Sequence, residues 1–420
     1  MGIESVKISK QNRVYYGWWI VVGLFFISFA ASSARFSFSA FFPFLCEDLG
    51  WSRTLLSGAF TIHMVFYACI SILTGRLIDT MGGRWTICIG GFFVLIGLSL
   101  LSKITATWHF YLYYGFILSI GINMTYFIPN ATIVRKWFIK RAGLATSLGI
   151  LGSGIAVAIV PRFMGQLCHI FGWRTAYLIC GVVFGLIIMI FSVALIRKQP
   201  EDMGLKPDGE DEVSTETDVH SAFSEEIWTL KEALQTPALW LMVIAYSIIG
   251  FGLQGAITQL PIWGYDLGMS RQECGILMLY LCLPACFTRI LGGWLGDRWS
   301  RKGVIVMHGF LCALAFIYLA FFGYSGVNQL TIGAVFLGMS YALPMGLWGP
   351  FVGDLYGRLS VGIIFGFLTF GAGIIGGSGA VLWGWIYDTF GSYFWGAILG
   401  AVSYFMSGLL IWYMKPPEKK

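Results

Sequence analysis

Twelve long apolar runs, parted by short polar stretches, constrain this chain more than any other feature. A segment in hydrocarbon finds no water for its backbone, and a helix closes its own hydrogen bonds. The runs fall at 15–44, 54–75, 85–102, 108–134, 142–168, 175–196, 238–264, 272–295, 303–323, 329–352, 361–387 and 392–414. Each is near the ~20 residues a helix needs to cross a bilayer. Only 11% of the 420 residues are charged, against about 25% in a soluble domain. Aromatic content of 17% suits a chain with two membrane interfaces. The expected fold class is an all-α membrane protein with twelve transmembrane helices.

The charge distribution orients these helices. One set of loops, with the two termini, carries 20 of the 27 basic residues. They include Arg76, Arg84, Arg135, Lys136, Lys140, Arg197, Lys206, Arg298, Arg301, Lys302, Arg358 and Lys415. The opposite loops hold Arg53, Lys103, Arg174 and Arg271. The positive-inside rule then puts both termini in the cytoplasm. The short termini point to a bacterial inner membrane, and the first apolar run is too long for the core of a cleavable signal peptide. The net charge of +6 is spent on this asymmetry, so no nucleic-acid partner is expected.

The longest polar stretch, Arg197 to Thr236, divides the chain near its middle and reads as a solvated linker. The expected domains are an N-terminal six-helix bundle at 1–196, a cytoplasmic linker at 197–236 and a C-terminal six-helix bundle at 237–420. A repeat supports the division. A shift of 219 residues carries Gly143, Gly152, Gly154, Gly165, Phe171 and Gly172 onto Gly362, Gly371, Gly373, Gly384, Phe390 and Gly391. A shift of 218 carries Asp79 onto Asp297. Such repeats imply two pseudosymmetric bundles with a site between them at mid-membrane.

Three arginines lie outside both sets of loops. Arg289 stands eight residues before Asp297, about 12 Å above the helix end at 1.5 Å per residue. No carboxylate lies one turn away, since Ala285, Gly292 and Gly293 hold those places. A guanidinium at that depth is costly unless it meets a partner or a cavity, and its fork suits a carboxylate. The alternative is a helix–helix joint made to backbone carbonyls. Arg35, in the outer half of the first span, either contacts an incoming anion or snorkels outward. Arg162 is expected to snorkel. Plausible cavity residues are Asn123, Tyr126 and Phe127 in the fourth span, Gln254 in the seventh, Tyr341 in the tenth, and Phe367 and Phe370 in the eleventh with Leu368 between them. Every Asp and Glu falls in a loop or at a helix end. His63 is the titratable group at mid-depth, and Asp266 lies at the outer mouth; these are the candidates for proton coupling. The nine cysteines form no metal-site spacing, although Cys282 and Cys286 share a helix face. There is no phosphate loop and no His-Glu-x-x-His, so neither an enzyme nor a cofactor is expected.

Two loops carry a shared motif. One reads Gly75-Arg-Leu-Ile-Asp79-Thr-Met-Gly82-Gly83-Arg84, the other Gly293-Trp-Leu-Gly-Asp297-Arg298-Trp-Ser-Arg301-Lys302. An Asp at that place can accept hydrogen bonds from a neighbouring helix N-terminus, while the cations pair with it and anchor in an anionic surface. Both resemble the signature loop of the major facilitator superfamily, the first departing from it at Thr80 and Gly83, the second at Ser300. The resemblance implies a gating motif of Gly75, Asp79, Arg84, Asp297, Arg298 and Arg301.

Other segments resemble the oxalate/formate antiporter and monocarboxylate transporter branch. They are Tyr15-Tyr-Gly-Trp-Trp, Leu49-Gly-Trp-Ser-Arg53, Arg135-Lys-Trp-Phe-Ile-Lys-Arg-Ala-Gly143, the stretch from Leu230 to Trp240, and Ser340-Tyr341-Ala-Leu. The resemblance implies that Arg289 binds a substrate carboxylate and that Tyr341 lines the site. The branch's dicarboxylate carriers have a second cation where this chain has Leu368, which argues for a monocarboxylate. Animal-type members have an Asp where this chain has Ala285. The expectation is a monomeric carrier of lactate- or pyruvate-like anions with protons, the rival being organic-anion exchange.

Overall fold

The computed structural model describes residues 15–51, 53–208 and 228–418. The chain is almost entirely helical. The N-terminal half holds α1 (Tyr16–Leu49), α2 (Arg53–Met81), α3 (Gly83–Leu101), α4 (Thr107–Trp137), α5 (142–171) and α6 (173–195). The C-terminal half holds α7 (Pro237–Asp266), α8 (Arg271–Arg298), α9 (Arg301–Phe322), α10 (Val327–Ala342 and Trp348–Tyr356), α11 (Val361–Phe390) and α12 (Phe394–Tyr413). Among the described residues, ten helices are long and apolar enough to cross a bilayer; α5 and the interrupted α10 bring the passes to twelve.

Local chemistry sets the breaks. α5 runs into α6 with no loop, and Gly172 turns the corner at φ 76, a conformation that a side chain would strain. α8 starts at a capping box in which Ser270 and Glu273 satisfy each other's backbone N–H. Pro261 and Pro284 lie inside α7 and α8, where each removes one backbone bond and neighbouring helices hold the segment in place. α4 breaks at Tyr126, whose φ and ψ are both −104.

Each half has its own apolar core, one drawn from 20–196, the other from 228–414 together with Ile78, Phe127, Ile128, Ala131 and Ile150. Those five residues show where the halves meet. Lys302 Nζ donates to Met414 O, and Tyr15 Oη donates to Trp137 O and Lys206 O. Both described ends of the chain thus lie on the face that carries the basic loops, called the basic face below.

The linker is structured at its ends. Pro200–Met203 forms a 3-10 turn, Asp208 bridges to Phe138, and Leu230–Leu234 is a short capped helix. Residues 209–227, most of the acidic stretch, lie outside the described residues, as do Lys7, Lys10, Arg13, Lys419 and Lys420.

Candidate functional site

Arg289 sits on the face of α8 turned toward α5, and 5% of it is exposed. Its Nη1 donates to Ile150 O at 3.1 Å and Ser153 Oγ at 3.3 Å, both in the other half. Its Nε has no partner. Among the described residues Nη2 makes no hydrogen bond, and no carboxylate reaches ion-pair distance. The guanidinium therefore does two things: it bonds the halves together and it keeps unspent donors. Tyr341 of α10 is half-buried, and Arg289 and Tyr126 act on it electrostatically.

Arg35 is half-buried on α1. Its guanidinium lies over Tyr67 at 5.4 Å and Phe36 at 5.6 Å, with Nη2 on the sulfur of Met64. It too lacks a carboxylate among the described residues. Sulfur is a weak acceptor, so this arginine is also undersupplied. It lies in electrostatic range of His63, which is fully buried, stacked with Tyr114 and bonded through Nδ1 to Tyr114 O. The Arg162 side chain lies outside the described residues.

Several sequence expectations change here. Asn123 is fully buried and donates to Tyr67 O at 2.7 Å, joining α4 to α2, while its Oδ1 has no partner among the described residues. Leu368 is also fully buried, in the C-terminal core. Phe367 packs edge-on against Trp240, a ring half-exposed on the outer surface, and stacks with Phe370. Phe367 and Phe370 thus stay together while Leu368 lies in the core. Phe365, as fully buried as Leu368, meets Phe127 at 5.4 Å and Tyr246 at 6.1 Å. Gln254 is half-buried, with a described hydrogen bond only at its backbone carbonyl. Asp266 is exposed at the face opposite the basic one and accepts from Tyr393 Oη.

Sequence reasoning missed Tyr67 and Tyr246. Tyr126 lies within electrostatic range of both, so tyrosines from α2, α4, α7 and α10 lead from Arg35 toward Arg289. A tyrosine in an apolar run gives no sign of its facing until the helices are packed.

The halves join at the basic face through two related constructions. Asp297 of α8 accepts from the N–H groups of Gly143 and Leu144 at the start of α5, both at 2.8 Å. Asp79 of α2 accepts from Ile363 N at the start of α11, at 2.9 Å. The 219-residue shift carries Leu144 onto Ile363, so the repeat is visible in the contacts. Glycine is required on both sides: a Cβ at Gly143 would stand 2.9 Å from Asp297 Oδ1, and one at Gly362 would stand 2.5 Å from Asp79 Oδ1. A Cβ at Gly75 would run into the Gly362 carbonyl.

The cations differ between the copies. Arg301 pairs with Asp297 at 2.9 Å and with Asp354 at 2.6 Å, and donates to Ile139 O. The first copy has Gly83 in Arg301's place, and Lys136 from α4 approaches Asp79 instead, at 3.4 Å. Arg135 pairs with Asp354 across the halves at 2.7 Å; the same 219-residue shift relates these two residues. Arg84 and Arg298, expected in this cluster, lie instead over Trp85 and Trp294, rings exposed on the outer surface. Among the described residues, every hydrogen bond between the halves lies between this face and the level of Arg289.

Two six-helix halves, joined along one face with unpaired guanidinium groups above the joint, define a polytopic membrane carrier. The sequence model of the Major Facilitator Superfamily matches residues 24–328 and 244–420, and the chain belongs to that family. It is 24% identical to monocarboxylate transporter 12 of Xenopus laevis, over 94% of this chain and 88% of that one. It is 23% identical to the oxalate:formate antiporter of Oxalobacter formigenes, over 88% of this chain and 86% of that protein. Among solved structures, the proton:xylose symporter XylE superposes with a TM-score of 0.75 at 13% identity, covering 95% of this chain and 96% of that one. The human organic anion transporter MFSD10 superposes at 0.72 with 14% identity, over 95% and 99%. The protein is a transporter and not an enzyme.

Proposed function

We propose that this transporter carries small monocarboxylates, lactate- or pyruvate-like, by proton-coupled symport and alternating access. The observation that carries the reading is Arg289: a deeply buried guanidinium on the seam with unspent donors and no carboxylate in reach among the described residues. A carboxylate would take those donors as charge-assisted bonds. Tyr341 and Tyr126 would orient it, and Phe127 and Phe365 would bound its alkyl tail. The basic face is assigned to the cytoplasm, where the joint at Asp79 and Asp297 acts as the gate closed in this state. Arg35 would draw the anion in from the open side, with His63 and Asp266 as candidates for the coupled proton. The two named relatives, a monocarboxylate transporter and an oxalate:formate antiporter, favour a carboxylate. The gap at Ala285 favours a second reading, exchange of one organic anion for another, which trans-stimulation separates from symport.

Lactate binding to purified protein tests the site without transport. Losing one charge-assisted contact costs about 1.5–3 kcal/mol, so Arg289→Gln is expected to weaken lactate binding at least about tenfold. Unchanged affinity in a folded variant would remove Arg289 from the site.

A further inference from the structure

One face of α8 carries more than Arg289. Cys282, Cys286, Arg289 and Gly293 recur at the three- and four-residue spacing that stacks side chains on one side of a helix. Gly293 meets α5 at Gly143 and Ser147, and Arg289 meets it at Ile150 and Ser153. Cys286 continues the seam, because a Cβ on Gly154 of α5 would stand 2.6 Å from its sulfur. Both thiols are free and half-buried, whereas Cys168, Cys180, Cys274 and Cys312 are buried. Cys286 and Arg289 lie within electrostatic range of Cys282, and Arg289 within range of Cys286.

We propose that Cys282 and Cys286 form a binding site for a thiophilic, two-coordinate metal cation, mercuric or cuprous in character, on the wall of the anion path. Side chains four apart on a helix have Cβ atoms about 5–6 Å apart, beyond the about 3.5–4.5 Å of a disulfide. The pair cannot close on itself without distorting α8. A single bridging atom fits: with metal–sulfur bonds near the ~2.3 Å of zinc thiolates, a linear unit spans about 4.6 Å. Soft thiolates select such ions. Two S–H bonds break, two metal–sulfur bonds form, and two protons leave to solvent with no change of oxidation state. A mercuric ion held by two thiolates is neutral, so it adds no charge beside Arg289. It does occupy the approach to that guanidinium, and transport stops. The inhibition rests on the carrier reading above; the binding does not.

The test uses the full chain in detergent, exposed to mercuric chloride, washed with excess monothiol and weighed by native mass spectrometry. The native protein is expected to keep one mercury per chain. Cys282→Ser and Cys286→Ser are each expected to lose it, since a single thiolate yields to the competitor. Gel-filtration elution and melting temperature check that both variants fold. On native protein, joint protection of Cys282 and Cys286 from alkylation locates the metal independently. Mercury retained in the double variant Cys282→Ser/Cys286→Ser, or alkylation of the pair at the native rate, overturns the site. Retained mercury with undiminished lactate uptake overturns its placement on the anion path.

Discussion

The two aspartates at the joint are related by the repeat but are loaded differently, and the consequence can be measured. Asp297 accepts two backbone N–H groups at 2.8 Å and pairs with Arg301 at 2.9 Å. Asp79 accepts one N–H at 2.9 Å and has Lys136 at 3.4 Å. An asparagine keeps one carbonyl oxygen and loses the charge. At Asp297 it gives up one N–H bond and the Arg301 contact, while Arg301 keeps Asp354. With charge-assisted bonds at about 1.5–3 kcal/mol each, the closed joint loses about 3 kcal/mol or more. At about 1.4 kcal/mol per decade, that is roughly a hundredfold rise in opening. Asp79→Asn retains its single N–H bond through the amide oxygen but strips the carboxylate from Lys136, which is 3% exposed and has no second carboxylate among the described residues. Breaking a buried pair this way costs about 3–5 kcal/mol, so the rise should be about a hundredfold or more. Hydrogen–deuterium exchange reads this directly. Protection of the peptide spanning 142–147 should fall about a hundredfold in Asp297→Asn, and that of 361–366 by about a hundredfold or more in Asp79→Asn. A clearly smaller loss for Asp79→Asn than for Asp297→Asn would refute the reasoning.

Asn123→Ala removes a buried hydrogen bond while the Tyr67 carbonyl keeps its helical partner, so stability should fall by about 0.5–1.5 kcal/mol. Denaturation of the folded protein checks this, and the lactate KM should stay within about twofold. Leu368→Lys would place an ammonium in a sealed core, where an unpaired charge costs several kcal/mol. Its melting temperature should drop sharply, with no gain in oxalate binding; an oxalate-binding, normally stable variant would show that residue 368 faces a cavity.

The passes and the joint were legible in the sequence for the same reason: both leave local marks. Lipid demands long apolar runs, and a helix N-terminus held by an Asp needs glycine on one side and an acid on the other. Gly143, Gly362, Asp79 and Asp297 carry that mark twice. What stayed hidden depends on which way a helix is turned. Nothing local distinguishes Leu368, sealed in the core, from a cavity residue. Nothing local told that Lys136 would stand in for the cation missing at Gly83. Arg84 and Arg298 read as part of the cluster by position in the motif, yet a neighbouring tryptophan on the outer surface holds each one. The tyrosines Tyr67 and Tyr246 look like packing until α2, α4 and α7 bring them toward Tyr126.

Radiolabelled lactate uptake into proteoliposomes, with and without an inside-alkaline pH gradient, tests the central claim most directly. The account predicts accumulation above equilibrium with the gradient, and its loss in Arg289→Gln. Uptake indifferent to the gradient that requires an anion preloaded inside would contradict proton symport and favour exchange. Gradient-driven uptake that survives Arg289→Gln would contradict the site itself.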